Sequence, residues 1–245
     1  MRRGRRLVPS MVLLGLLAVI ATSIGAGGPA LAAPVIQPGS SLAFGDSFCT
    51  ANWVYDDTSG PTTVTYIGAA GHCTTGVGQQ VDLATGSLGS SIERIGQVAF
   101  VSSALDYCLI RLDAAVLSQV SPAMAGHPEI PTGVSTQATA KRGDLIQFSG
   151  HGIVFDLTTL TQQERVGILN FFLDGEQYVL GAVTPGDSGG PVADITDGNK
   201  AIGIVDTVGV TISTPNVNVG EGGAALYALL ADAAANGFRI ALRTV

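Results

Sequence analysis

The chain has 245 residues and a formal net charge of −7, and only 13% of its residues are charged. Beyond the arginines at its start it has no basic cluster, which argues against binding to nucleic acid or to anionic membrane surfaces. Glycine is abundant, with 33 residues, and this composition favours short strands and many turns over a helical bundle.

Residues 1–32 have the pattern of a secretory signal peptide. Arginines precede an apolar run from Met11 to Ile24, and Ala30-Leu31-Ala32 offers a small-residue cleavage site. The apolar run is short for a bilayer span and is interrupted by glycine, threonine and serine, which disfavours a membrane anchor. The pattern predicts that residues 33–245 are secreted and keep no stable membrane association. The paired arginines leave the choice of export route open.

A first group of strand-like runs occupies about residues 40–115. Glycines and other turn residues separate the runs, as is typical of a sheet built from short strands. The predicted strands are 63–69, 79–83, 92–101 and 107–112. The proline-containing stretch 121–133 that follows is predicted to be an extended connection.

A second β-rich group spans about residues 134–222. Asp174-Gly175 and Asp197-Gly198 are hairpin turn signals within it. The predicted strands are 134–140, 145–150, 153–158, 166–172, 177–183 and 201–206. The alanine- and leucine-rich stretch 224–236 ends before Gly237 and predicts a C-terminal helix.

Ser188 lies in the string Gly-Asp-Ser-Gly-Gly-Pro at positions 186–191. A bare serine is a poor nucleophile, so chemistry at this position requires a base within hydrogen-bond reach. It also requires donors for the oxyanion that forms when a carbonyl is attacked, and backbone amides in a glycine-rich turn can supply them. A surface turn between two strands is the alternative interpretation.

A base and its partner are found upstream of Ser188. His72 follows a strand-like run, in the string Ala-Ala-Gly-His-Cys at positions 69–73. Asp106 immediately precedes the apolar strand 107–112, which draws its carboxylate inward. A buried carboxylate must be paired, and an imidazole N–H is a suitable partner.

These motifs, in the order His, Asp, Ser, resemble the chymotrypsin/trypsin-like serine protease family, in particular its secreted actinobacterial members. The resemblance implies an all-β fold of two six-stranded antiparallel β-barrels with a C-terminal helix. It implies a monomeric secreted endopeptidase that acts on protein or peptide substrates without a cofactor. His72, Asp106 and Ser188 would be catalytic, and the amides of Gly186 and Ser188 would form the oxyanion hole. No spacing of histidines or cysteines suggests a metal site.

The resemblance also implies which residues contact the substrate. Ala182 would form the floor of the primary specificity pocket, and because it is neutral, the aspartate of trypsins is absent. Asp206, Thr207 and Val208 would pair with the main chain of the substrate. A valine at position 208 narrows the pocket, so the prediction is cleavage after small or medium apolar residues.

The chain has three cysteines, and the resemblance implies a disulfide between Cys49 and Cys73. This bond would hold the turn that carries His72 and would stabilise the fold by about 3 kcal/mol. Cys108 is then left over, and a small buried thiol is the simplest prediction for it.

One position departs from the family pattern, and a second acidic residue, Asp187, needs a partner. Asp206 stands where a serine usually hydrogen-bonds the catalytic aspartate, here Asp106, and a second carboxylate would make at least one of the two harder to ionise. Either Asp206 turns away, or the two titrate as a coupled pair, or the alignment is off by one residue. In bacterial relatives an arginine pairs with the acid before the serine, here Asp187, and Arg142 is the first candidate, with Lys141 second. A catalytically silent homologue that binds peptides or surface proteins in the same groove remains an alternative, as does an esterase-like hydrolase.

Overall fold

Two antiparallel β-sheets and the turns between their strands carry the predicted site residues. The structure is a computed structural model and describes residues 35–85, 91–152, 163–213 and 216–245. The predicted signal peptide with its cleavage site, and the predicted strand 153–158, lie outside the described residues. Residues 34–245 form one compact unit.

The first sheet has eight strands in the described part of the chain, in the order β15-β3-β4-β7-β6-β5-β1-β2. Three of their apolar residues, Ile67, Leu109 and Ile110, are fully buried. The strands are β1 (Ser41–Phe44), β2 (Ser47–Thr50), β3 (Val54–Asp57), β4 (Val64–Ala70), β5 (Gln80–Thr85), β6 (Ser91–Ser102), β7 (Tyr107–Leu112) and β15 (Ile240–Leu242).

The second sheet has seven strands in the described part, in the order β12-β11-β8-β9-β10-β14-β13. Its strands are β8 (Leu145–Gly150), β9 (Gln163–Leu173), β10 (Glu176–Leu180), β11 (Pro191–Asp194), β12 (Lys200–Ile204), β13 (Thr207–Ser213) and β14 (Asn216–Ala224). Because β13 is the last strand in this order, its outer edge is unpaired within the described residues.

Helix α1 (Leu226–Ala235) follows β14 directly and buries Leu226, Leu229 and Ala233. Gly237, with φ of 92°, follows its end, as is common where a chain leaves a helix through the left-handed region. Two hydrogen bonds join distant parts of the fold: the Trp53 indole N–H donates to the carbonyl of Gly203 at 3.0 Å, and the Tyr107 hydroxyl donates to Asp232 at 2.9 Å. Among the described residues, no helix is both long and apolar enough to cross a membrane.

The all-β, antiparallel fold with a C-terminal helix is confirmed, but the predicted strand 134–140 is wrong. The chain forms a turn there, in which the amide of Ala140 donates to the carbonyl of Thr136 at 2.8 Å. The amide of Thr136 donates to the hydroxyl of Thr139 at 3.1 Å. Threonine hydroxyls can satisfy nearby backbone groups in this way, and such local bonds compete with a strand ladder.

Candidate active site

His72 and Asp106 meet at the ends of two paired strands. β4 ends at Ala70, and a single 3₁₀ turn, Gly71–Cys73, then presents His72. The Oδ2 of Asp106 lies 2.6 Å from the Nδ1 of His72, and the backbone amide of His72 donates to Oδ1 at 2.8 Å. The amide of Gly71 donates to the carbonyl of Asp106 at 2.7 Å. Asp106 therefore fixes both the ring and the backbone of His72.

This contact determines the protonation of the imidazole. A carboxylate can only accept a hydrogen bond, so Nδ1 carries the proton and Nε2 of the neutral ring is available as a base. The hydrogen bond to Asp106 raises the pKa of His72 above its ordinary 6.5, although partial burial opposes the shift. Asp106 has φ of 45°, in the left-handed region, which aspartate tolerates better than most residues.

Thr50, at the end of β2, holds the loop that contains Ser188. The amide of Thr50 donates to the carbonyl of Ser188 at 2.9 Å, and its hydroxyl donates to the carbonyl of Gly186 at 2.8 Å. On the other side, the amide of Gly189 donates to the carbonyl of Val205 at 2.5 Å. The loop is thus fixed between the two sheets. Sequence reasoning did not identify Thr50, because its role depends only on spatial proximity.

The serine loop lies against the strand that leads to His72. A Cβ atom on Gly189 would come within 2.6 Å of the amide nitrogen of Ala70, so only glycine allows this approach. The predicted disulfide between Cys49 and Cys73 is confirmed, and it links the residue before Thr50 to the residue after His72. The serine loop is therefore in backbone contact with the strand that leads to His72, and the disulfide ties the turn of His72 to β2, which holds the loop.

The backbone amides of Gly186 and Ser188 donate no hydrogen bond within the described part of the chain, whereas those of Asp187, Gly189 and Gly190 do. The carbonyl of Asp187 accepts from the amide of Gly190 at 2.8 Å. In a trans peptide the N–H points opposite to the carbonyl, so the Ser188 amide is directed away from that bond. Gly186 and Gly189, with φ of 102° and 89°, make this backbone path possible.

Asp187 pairs with Arg165 of β9, and the prediction of Arg142 or Lys141 as its partner is wrong. An Nη2 atom of Arg165 contacts Oδ1 of Asp187, and the two side chains are 10% and 1% exposed. The amide of Thr184 donates to the other carboxylate oxygen at 2.8 Å. Arg142 and Lys141 are both exposed. Arg142 and Lys141 lie in the turn before β8, whereas Arg165 lies on β9, which contacts the serine loop. The sequence alone does not show which of these arginines faces inward.

Asp206 is buried, and its Oδ2 accepts a hydrogen bond from the amide of Ala224 at 2.8 Å. Its other oxygen has no hydrogen-bond partner in the described residues. Burial, and then the charges of Asp106, Glu221 and Glu176, raise the pKa of Asp206 well above its ordinary value. Asp206 therefore does not turn out to solvent, and its titration depends on Asp106.

The other predicted substrate contacts lie at one edge of the second sheet. Thr207 is exposed and pairs with Gly222, and the next residue, Val208, pairs through its backbone with Glu221. The side chain of Val208 is outside the described part of the structure. Ala182 is exposed in the segment after β10.

The sulfur atoms of Cys49 and Cys73 lie near His72, with all three possible ligand atoms within 4.8 Å of one another. Metal ions bind cysteine as thiolate, and the disulfide leaves neither sulfur in that form. Cys108 is a free, buried cysteine whose thiol has a pKa raised to about 12, mainly by burial. Neither feature supplies a metal ligand in the oxidised chain.

Two solved structures resemble this chain in fold. The first is a serine protease specific for glutamic acid, described as using a novel histidine triad in substrate binding. It shares 19% sequence identity at a TM-score of 0.57, and the match covers 85% of this chain and 100% of that one. The second is a Glu endopeptidase in complex with MPD, with 18% identity and a TM-score of 0.53 over 82% of this chain and 92% of that one. No family model and no curated protein matches the chain. These likenesses confirm the chymotrypsin-like fold.

Proposed function

We propose that this chain is a serine endopeptidase that hydrolyses peptide bonds through an acyl-enzyme. The observation that carries the proposal is the contact of Asp106 with both the ring and the backbone of His72. The serine loop beside it has two backbone amides, those of Gly186 and Ser188, that donate no hydrogen bond within the described residues. The fold shared with two serine proteases supports the same conclusion. The alternative interpretation of the serine string, a surface turn, does not explain this arrangement.

In the acylation step, Oγ of Ser188 forms a bond to the carbonyl carbon of the substrate, and its proton passes to Nε2 of His72. The carbonyl oxygen becomes an oxyanion that accepts hydrogen bonds from the amides of Gly186 and Ser188. The C–N bond then breaks as His72 returns the proton to the leaving amine. A water molecule repeats the sequence on the ester and releases Ser188. Each oxyanion donor contributes about 2.7–4 kcal/mol to the stability of the transition state.

The substrate backbone is proposed to add to the outer edge of β13. Residues Asp206, Thr207 and Val208 begin this edge, and the segment before them is tied to the serine loop by the bonds between Val205 and Gly189 and Gly190. An extended peptide on a sheet edge gains main-chain hydrogen bonds that are independent of its sequence. This position would place the peptide bond to be cleaved beside Ser188.

The preference for small or medium apolar residues, based on Ala182 and Val208, remains a prediction. The glutamate specificity of the first related structure does not follow from its fold. This chain has only three histidines, and one of them is the proposed base, so a separate triad of histidines cannot be assembled. The second, His127, lies beside Glu129 and Glu164 in the connecting segment, far along the chain from β13.

Secretion after removal of residues 1–32 is part of the proposal, and the confirmed disulfide supports it because such bonds persist in oxidising compartments. A monomer acting on protein or peptide substrates is the accompanying expectation. N-terminal sequencing of protein from a culture supernatant should begin at residue 33. Protein retained in the membrane with residues 1–32 attached would contradict secretion.

Labelling of the purified protein with a fluorophosphonate probe tests the activity. We expect covalent labelling of the wild type and none of Ser188→Ala, with matching circular dichroism spectra as evidence that both fold. Absence of labelling in well-folded wild type would reject the proposal and favour the silent homologue. The buried Asp206 beside Asp106 is the observation that favours that second candidate.

A further inference from the structure

Glu221 is a buried carboxylate on β14, the strand next to the proposed substrate strand. The residue as a whole is only 2% exposed to solvent. Through its backbone, Glu221 pairs with Val208 of β13 on one side and with Val179 of β10 on the other. It therefore occupies the central strand of the three that form this end of the second sheet.

The two faces of β14 differ, and Glu221 lies on the inner face. Side chains two residues apart share one face of a strand, so Glu221 and Gly223 point the same way. A Cβ on Gly223 would meet the carbonyl of Ile204 and come within 2.9 Å of the amide of Asp206. A Cβ on Gly222 would instead come within 3.0 Å of the Tyr178 ring. The carboxylate of Glu221 thus faces the segment that connects β12 to the substrate strand.

Neither carboxylate oxygen of Glu221 has a hydrogen-bond partner or an ion pair in the described part of the chain. The nearby Gln177 amide instead donates to the carbonyl of Ile204 at 2.8 Å. Arg165, the cation below the serine loop, pairs with Asp187. Burying a carboxylate without a partner costs free energy, so a ligand that supplies the partner is a reasonable expectation.

Glu221 interacts electrostatically with two residues of the proposed site. Burial is the main reason why its pKa lies well above the ordinary value; the side chain of Gln177 opposes this shift, and the charge of Asp187 adds to it. Glu221 in turn acts on Asp206. Its carboxylate is therefore within electrostatic reach of the residue before Ser188 and of the first residue of the substrate edge.

We propose that Glu221 binds the cationic head of a lysine or arginine side chain that precedes the cleaved bond. The inference rests on the proposed function and names its substrate class. A long side chain beside Ser188 would extend past Val208 to the carboxylate, with its apolar stem along the strand and its charge paired at the end. The net charge of −7 also favours approach of cationic substrates. If the inference holds, the prediction of an apolar preference is wrong.

A peptide library with all residues at the position before the cleaved bond tests this inference. We expect wild type to favour lysine and arginine over apolar residues, and Glu221→Gln to lose at least about tenfold in kcat/KM for the cationic peptides only, as expected for loss of a buried charge partner. Glu176→Gln is the matched control: it also removes one charge near Asp206, but its carboxylate already accepts from the Tyr178 hydroxyl at 2.5 Å.

Binding of 4-aminobenzamidine, an aryl cation, separates this inference from the proposed function. Ser188→Ala should bind it, and the double variant with Glu221→Gln should bind at least about tenfold more weakly, whether or not the wild type is catalytic. Wild type that labels with fluorophosphonate but prefers apolar peptides, or equal amidine binding by the two variants, would overturn the role of Glu221. Amidine binding without labelling would reject only the proposed catalysis.

Discussion

Asp106 acts on both the position and the protonation of His72. The carboxylate holds the ring at 2.6 Å and the backbone amide at 2.8 Å, so the two effects come from its two oxygens. An asparagine would retain one acceptor but would present an N–H group to the other position. That change favours the tautomer in which Nε2 carries the proton and cannot act as a base.

We therefore expect Asp106→Asn to slow fluorophosphonate labelling by about 10⁴-fold, by analogy with the same change in a catalytic triad.

In wild type, the labelling rate should rise with pH through an ionisation above pH 6.5, because Asp106 raises the pKa of His72 and only the neutral ring accepts a proton. Stopped labelling assays from pH 5 to 9 measure both effects. A variant rate within tenfold of wild type would contradict the role of Asp106.

Arg165 connects one structural element, β9, to the loop that contains Ser188. Its charge is paired with Asp187, and its guanidinium also lies 5.4 Å from the centre of the Phe148 ring on β8. Glycine at position 150 leaves room for this pair, since a Cβ there would come within 3.1 Å of Arg165. The orientation of the serine loop thus depends on two neighbouring strands of the second sheet.

Arg165→Met should lower the free energy of unfolding by about 3–5 kcal/mol, because it leaves the Asp187 carboxylate buried without its cation. Labelling of Ser188 should also slow, since Asp187 is part of the same loop. Arg142→Met is the matched control and, as an exposed change, should alter stability by no more than about 0.5 kcal/mol. Urea denaturation gives both values, and equal stabilities for the two variants would refute the pairing.

The longer strands of both sheets could be predicted from their apolar pattern, and β7 and β8 agree with prediction residue for residue. Strands such as β1, β2 and β15 are only three or four residues long, which is too short to show a period. His72 and Ser188 could be proposed from the sequence because they stand in recognisable strings, and Asp106 because of its order in the chain and the apolar strand that follows it. Thr50, Arg165 and Glu221 could not, since each acquires its role from a contact with a distant part of the chain.

On the scale of the whole molecule, Arg243 fastens the C-terminal segment to the first sheet. Its Nε and Nη2 donate to the two oxygens of Asp56 at 2.7 and 2.5 Å, and Nη2 also donates to Thr65 at 2.9 Å. Burial alone would raise the pKa of Asp56, but the hydrogen bonds of Arg243 and Thr65 outweigh it and lower the pKa below 3.8. This contact stabilises the pairing of β15 with β3.

Arg243→Met should destabilise the protein by about 1.5–3 kcal/mol at neutral pH, the usual contribution of hydrogen bonds to a charged group. The stabilisation from ionised Asp56 is fully present above pH 3.8, and it is lost as the pH falls through the lower pKa of the folded state. The free energies of unfolding of wild type and variant should therefore converge in acid. Arg239→Met, at an exposed position, is the control. Thermal unfolding at pH 7 and pH 2.5 distinguishes them, and a constant difference between the two pH values would contradict the assignment.

The pairing of β15 with β3 joins residues 240–242 to residues 55–57. A ribosome makes His72, Asp106 and Ser188 well before it makes β15, so a nascent chain can contain every proposed catalytic group while its first sheet still has an open edge at β3. Contacts between such distant parts of a chain also form slowly. The pairing that covers the edge of β3 therefore becomes possible only after residues 240–242 have been made, later than every proposed catalytic group.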